Sequence, residues 1–111
     1  MRPKSYIDNF FNFHLEDSIN SAKGVIPQIL KFIRPDSLID VGCGVGTWLS
    51  IWKEFGINNI SGVDGSYVNL QDLLIDKAHF ITADLDKGFE ANQKFEIVTC
   101  FEVAEHIQPQ N

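Results

Sequence analysis

The stretch LIDVGCGVGTWLS, Leu38 to Ser50, sets an apolar run against three glycines at every second position, followed by a helix-like pattern with two tryptophans. Ser37–Val41 reads as a short buried strand. Residues 47–55 read as a helix with Trp48, Ile51, Trp52 and Phe55 on one side and Gly56 as its stop. Between them, Gly42, Gly44 and Gly46 form a turn without Cβ atoms, which lets the backbone approach a ligand and tolerates positive φ. The helix behind such a turn offers unpaired N–H groups and a positive dipole end, which suits an anion or a polar zwitterion. One glycine would be read as a packing device; three in alternation between strand and helix point to a ligand.

Working outward, NNISGVD reads as a second strand ending at Asp64, and YVNLQDLLI as a helix with Leu70, Leu73 and Leu74 facing in. AHFITAD is a third strand ending at Asp84, FEIVTCFE a fourth from Phe95 to Phe101, and VAEHI opens a further helix. Upstream, residues 5–14 read as a helix with Ile7, Phe10, Phe11 and His14 on one face and Ser5 as its cap. A second helix carries Ala22, Val25, Ile26, Ile29, Leu30 and Ile33; Pro27 makes it begin near Gly24 or kink there, and Pro35-Asp36 ends it. Phe10, Phe11 and Phe13 are assigned to packing in preference to a lid over an apolar substrate. Strands alternating with helices imply parallel pairing with right-handed crossovers, so the expected fold is an α/β sheet with helices on its faces.

The 111 residues suffice for one domain with one core. A hydrophobic fraction of 44% with 22% charged residues is that of an ordinary globular chain. No run of about 18 apolar residues is present, so no membrane span is expected. The N-terminal MRPKSYIDNFF lacks the apolar core of a secretory signal. A net charge of −6 argues against a partner held mainly through phosphates, nucleic acid included. Cys43 and Cys100 lie far apart without a CxxC spacing, which fits two reduced thiols in a cytoplasmic protein.

Ligands of open α/β sheets bind beyond the carboxyl ends of the strands, and the polar residues here gather at those ends. Asp64 follows the glycine turn by about 20 residues, at the end of the next strand, where an acid can accept from both hydroxyls of a ribose. A carboxylate suits a diol because it has two acceptor oxygens and no competing donor. The other use of an aspartate in DGSY is a helix cap. A nicotinamide dinucleotide would call for G-x-G-x-x-G, whose third glycine falls on Thr47. Asp40, two residues before the first glycine, opposes a pyrophosphate and favours a ligand with an ammonium group.

Together LIDVGCGVGTWLS, SGVDGSY, ITADLDKGF and FEIVTCFEVAEHI resemble, in order and spacing from Ser37 to Ile107, the successive motifs of the class I S-adenosylmethionine-dependent methyltransferases. The resemblance implies a Rossmann-like parallel sheet in strand order 3-2-1-4, with residues 1–35 as a helical segment and 36–111 as the Rossmann-like part of one cofactor-binding domain. It implies that Gly42, Cys43, Gly44 and Gly46 lie against the methionine part of the cofactor, with Asp40 beneath near the amino group. Asp64 would hold the ribose, with Gly65 beside it. Asp84 would accept from the adenine amine, flanked by Ala83 and the Leu85 N–H. Phe101 and Glu102 would line the cofactor and the mouth of the substrate site. Many relatives carry an apolar side chain where Gly65 stands; Tyr67 is the neighbouring aromatic available for that face.

On a helix, Glu102, Glu105 and His106 of EVAEH share one face. Two carboxylates and an imidazole are a workable divalent-metal set, and E-x-x-E-H resembles metal-assisted members of the family. The alternatives are a polar helix start, with acids favoured by the dipole, or Glu102 or His106 acting directly as a base. The family fold has seven strands and the motifs supply four, so the chain is expected to be incomplete at its C-terminus, with an exposed fourth-strand edge open to self-association. The expected activity is methyl transfer to a small-molecule acceptor. A non-catalytic nucleoside-binding or edge-pairing module and an NAD-dependent oxidoreductase are the alternatives.

Overall fold

The computed structural model describes residues 4–88 and 93–100, with side chains from residue 15 onward. Four parallel strands, β1 (Leu38–Val41), β2 (Ile60–Asp64), β3 (Phe80–Thr82) and β4 (Ile97–Thr99), form one sheet in the order β3-β2-β1-β4. Leu38 stands opposite Ile60 on one side and Ile97 on the other, and Asp40 opposite Gly62 and Thr99. Helices α1 (Lys4–Leu30) and α2 (Thr47–Glu54) flank this sheet, giving the expected Rossmann-like architecture and strand order.

The core lies where α1 and α2 meet the Leu38/Ile60 face. Ala22 and Ile26 of α1 pack with Trp48, Leu49, Ile51 and Trp52 of α2. Each large aliphatic side chain buried there contributes about 1.5–3 kcal/mol. The alternation of β1 turns Ile39 to the other face, where it too is buried. On β4, Thr99 is buried, whereas Val98 on the opposite face is 65% exposed. The start of β4 is tied to the start of β1: the Glu96 N–H donates to Ser37 Oγ at 3.0 Å and the Asp36 N–H to Glu96 Oε1 at 2.5 Å.

Two local expectations are corrected. The N-terminal segment is one helix through Leu30, with Pro27 inside it, in place of two. Pro27 removes one i→i−4 bond, and buried Ile26 and Ala22 pin that part of the helix to the core. The helix stops before Phe32 and Ile33, which are exposed.

Residues 67–75 form no amphipathic helix, only a 3₁₀ turn at Leu70–Asp72, followed by a second at Lys77–His79. Asn69 Oδ1 accepts from the Gln71 N–H at 3.0 Å and Asp76 Oδ1 from the Ala78 N–H at 2.9 Å. Such side-chain bonds offer the backbone an alternative to helix. The Leu74 N–H instead donates to Val45 O at 2.8 Å, drawing the segment across the glycine turn. Leu70 and Leu74 are therefore exposed, Leu73 is half-buried, and Ile75 is the residue that enters the core.

Candidate nucleoside site at the ends of β1 and β2

The turn leaving β1 has Gly42, Gly44 and Gly46 at φ 76°, 58° and 88°, a region L side chains rarely adopt, so the alternation is a backbone requirement. Gly46 also caps α2, and a Cβ there would stand 3.1 Å from Ile75. Four N–H groups of this turn are hydrogen-bonded within the protein. Those of Gly42 and Cys43 donate to Val63 O at 2.8 and 3.3 Å, that of Gly46 to Cys43 O at 3.0 Å, and that of Gly44 to Asp64 Oδ2 at 2.7 Å. The carboxyl end of β2 takes up donors that the sequence reading had assigned to a ligand, because a buried strand end must satisfy its own polar groups. Gly42, Cys43 and Gly46 are buried, and Gly44 and Val45 are the half-buried residues of the turn.

Asp64 is fully buried. Besides Gly44, its carboxylate accepts from the Gly65 N–H at 2.8 Å and from the Tyr67 hydroxyl, both on Oδ1. Tyr67 lies over Gly65, and its phenol pKa is pushed up to about 12 by burial, then by the hydrogen bond to Asp64 and the charge of that carboxylate. Asp40 is buried under the turn, and its Oδ1 accepts from Thr99 Oγ at 2.8 Å. Cys43 is buried, with Sγ 3.4 Å from Gly44 O, whereas Cys100 is exposed.

The ends of β2 and β3 are joined by the Ala83 N–H, which donates to Asp64 O at 2.9 Å. Asp84 thus follows on the strand adjacent to Asp64, but its side chain is exposed and folds back, accepting from the Asp86 N–H at 3.0 Å. Leu85 is half-buried beside it. The structure brings together Asp40, the glycine turn, Asp64 and Gly65; it does not join the Asp84 carboxylate to them. Phe101, Glu102, Glu105 and His106 lie outside the described residues. Among the described residues no group of three His, Cys, Asp or Glu could hold a metal ion, and no helix is long and apolar enough to cross a membrane.

Three residues of the site escaped the sequence reading. Thr99 was signalled only by a polar residue at the end of an apolar strand. Gly62 was signalled by a glycine inside a strand, which often marks a close approach. A Cβ at Gly62 would lie 2.5 Å from Cys43 Sγ and 2.8 Å from Leu49 Cδ1. Ile75, which closes over Gly46, was hidden by the helical pattern of its segment.

No curated protein and no solved structure matches the chain. The methyltransferase domain family does, over residues 15–111, which takes in the second half of α1, all of α2, the four strands and the glycine turn. With the 3-2-1-4 parallel sheet, the alternating-glycine turn and an acid closing the second strand, the chain belongs to the class I S-adenosylmethionine-dependent methyltransferases.

Proposed function

We propose that this methyltransferase domain binds S-adenosylmethionine across the ends of β1 and β2 and presents its methyl group to a small-molecule acceptor. The observation that supports this most directly is the bond from the Gly44 N–H to Asp64, which makes the glycine turn and the acid one cradle. The residues present suit the cofactor. Asp64 offers Oδ1 to a ribose hydroxyl once the Tyr67 hydroxyl gives way. Half-buried Gly44, without a Cβ, suits the close approach of the amino-acid part, and buried Asp40 suits an ammonium group, with Thr99 hydrogen-bonded to it. Ala83, Asp84 and Leu85 follow at the end of β3 as the residues to meet the adenine.

When bound, S-adenosylmethionine supplies an activated methyl group with a thioether as its built-in leaving group. The protein's share is alignment, and holding two reacting centres in line can be worth about 7–11 kcal/mol. The net charge of −6 favours a small acceptor over a polyanionic one.

Calorimetric titration with S-adenosylmethionine, S-adenosylhomocysteine and NAD tests the reading. Binding of the first two without NAD is expected, and Asp64→Asn should weaken both by about tenfold or more, the worth of a charge-assisted hydrogen bond. Binding of NAD alone, or of none of the three, refutes it. Binding without methyl transfer to any small-molecule acceptor selects the non-catalytic nucleoside-binding module.

A further inference from the structure

We propose that Tyr67 is a latch on the nucleoside subsite: in the empty protein its hydroxyl occupies the Asp64 oxygen that a ribose hydroxyl takes when ligand binds. This rests on the assignment of Asp64 to the ribose and adds a residue that sets affinity at that site. Asp64 has no exposed surface, so no diol reaches its carboxylate while Tyr67 is in place. Oδ2 is committed to the Gly44 N–H and Oδ1 is shared between the Gly65 N–H and Tyr67. Of these three donors only the phenol is on a side chain, and only it can leave without unravelling the turn.

The ring reaches Asp64 because residue 65 is a glycine. A Cβ there would stand 2.5 Å from Tyr67 Cε1 and 2.7 Å from Cδ1, where the ring now lies. The Val68 N–H donates to Gly65 O at 3.2 Å, closing the turn that carries Tyr67 back over the acid. Tyr67 is nevertheless 65% exposed, so its outer side is open and the ring can swing toward solvent. The exchange conserves hydrogen bonds to Asp64: one hydroxyl leaves and another arrives, while the phenol is taken up by water. Binding therefore works against the latch, and removing the hydroxyl alone should strengthen binding.

Tyr67→Phe keeps the ring and deletes the donor. Titration of the wild-type chain and of this variant with S-adenosylhomocysteine, adenosine and 2′,3′-dideoxyadenosine gives the test. The variant should bind the first two about three- to tenfold more tightly, the range expected when a competing hydrogen bond is lost. It should show no gain with the dideoxynucleoside, which has no hydroxyl to compete for Asp64. A purely structural tyrosine would leave all three affinities unchanged or weakened together. Wild-type binding with no gain in the variant overturns the latch and leaves the cofactor reading standing. A gain that is equal for the dideoxynucleoside also overturns it. Failure of both proteins to bind any of the three overturns the cofactor reading and the latch with it.

Discussion

Gly62→Ala places one methyl group where the strand, the glycine turn and α2 converge. The added Cβ would meet Cys43 Sγ at 2.5 Å, Leu49 Cδ1 at 2.8 Å and Cys43 Cβ at 3.2 Å. Ordinary carbon contacts lie at about 3.5–4.0 Å, so both side chains must retreat by roughly 1 Å. Leu49 can give at its flexible tip, but it is fully buried in a packed core. Cys43 is short, buried, and sits in a turn whose N–H groups are bound to Val63 and Asp64 at either side. Overpacking of this kind costs about 1–3 kcal/mol. For a domain of about 100 residues, each kcal/mol lowers Tm by about 4–8 °C, so Gly62→Ala should lose about 8–16 °C if the cost is near 2 kcal/mol. Thermal unfolding followed by circular dichroism measures it. Cys43→Ala removes the nearest atom, so the same Gly62→Ala change made in that background should cost less, a coupling visible in a double-mutant cycle. An unchanged Tm in Gly62→Ala, or strictly additive effects in the double variant, would refute the claim that the turn is held down on β2 by the absence of a side chain.

Further outcomes follow from the hydrogen bonds of the site. Thr99→Val preserves shape but removes one hydrogen bond to buried Asp40, and should lower stability by about 1–2 kcal/mol in urea unfolding while Thr99→Ser stays near wild type. Asp64→Asn turns a donor toward the Gly44 or Gly65 N–H and should cost about 2–3 kcal/mol; an unchanged urea midpoint would exclude the buried triple acceptor. The Tyr67 phenol, raised from 10 to about 12, should show a late phase in the alkaline tyrosinate absorbance that Tyr67→Phe abolishes. The protonated phenol is the donor, so its contribution is complete below pH 10 and disappears as pH rises through about 12.

The sheet was legible because β1 and β2 are short segments rich in Leu, Ile and Val between turn signals, and because α2 keeps its helical stripe between a glycine start and a glycine stop at φ 97°. Residues 67–75 were not, although their leucines also recur at helical spacing. There the outcome was decided by Asn69 and Asp76 binding their own backbone and by a long-range bond from Leu74 to Val45, and hydrophobic period records neither. Pro27 misled in the opposite direction, since packing of Ile26 and Ala22 outweighs the bond it removes. For the site, residue types and spacing identified Asp40, the glycines and Asp64, which the structure brings together. They could not show that the N–H groups of Gly42, Cys43, Gly44 and Gly46 are spent within the protein, that Tyr67 covers Asp64, or that Thr99 reaches Asp40 across the sheet. Those facts arise from strand register and from a three-residue fold-back, both fixed only once the sheet has formed.

The seam between β1 and β4 has a kinetic consequence. Ser37, Asp36 and Asp40 find their partners Glu96 and Thr99 some 60 positions away, whereas β1, α2 and β2 are consecutive neighbours. Closing so wide a loop is entropically dearer than closing a narrow one, so the β1–α2–β2 unit should assemble first and the fourth strand dock onto it afterwards. Substitutions at Ser37 Oγ or Thr99 should then accelerate unfolding while leaving the refolding rate nearly untouched, and those at Leu49 or Ile60 should slow refolding.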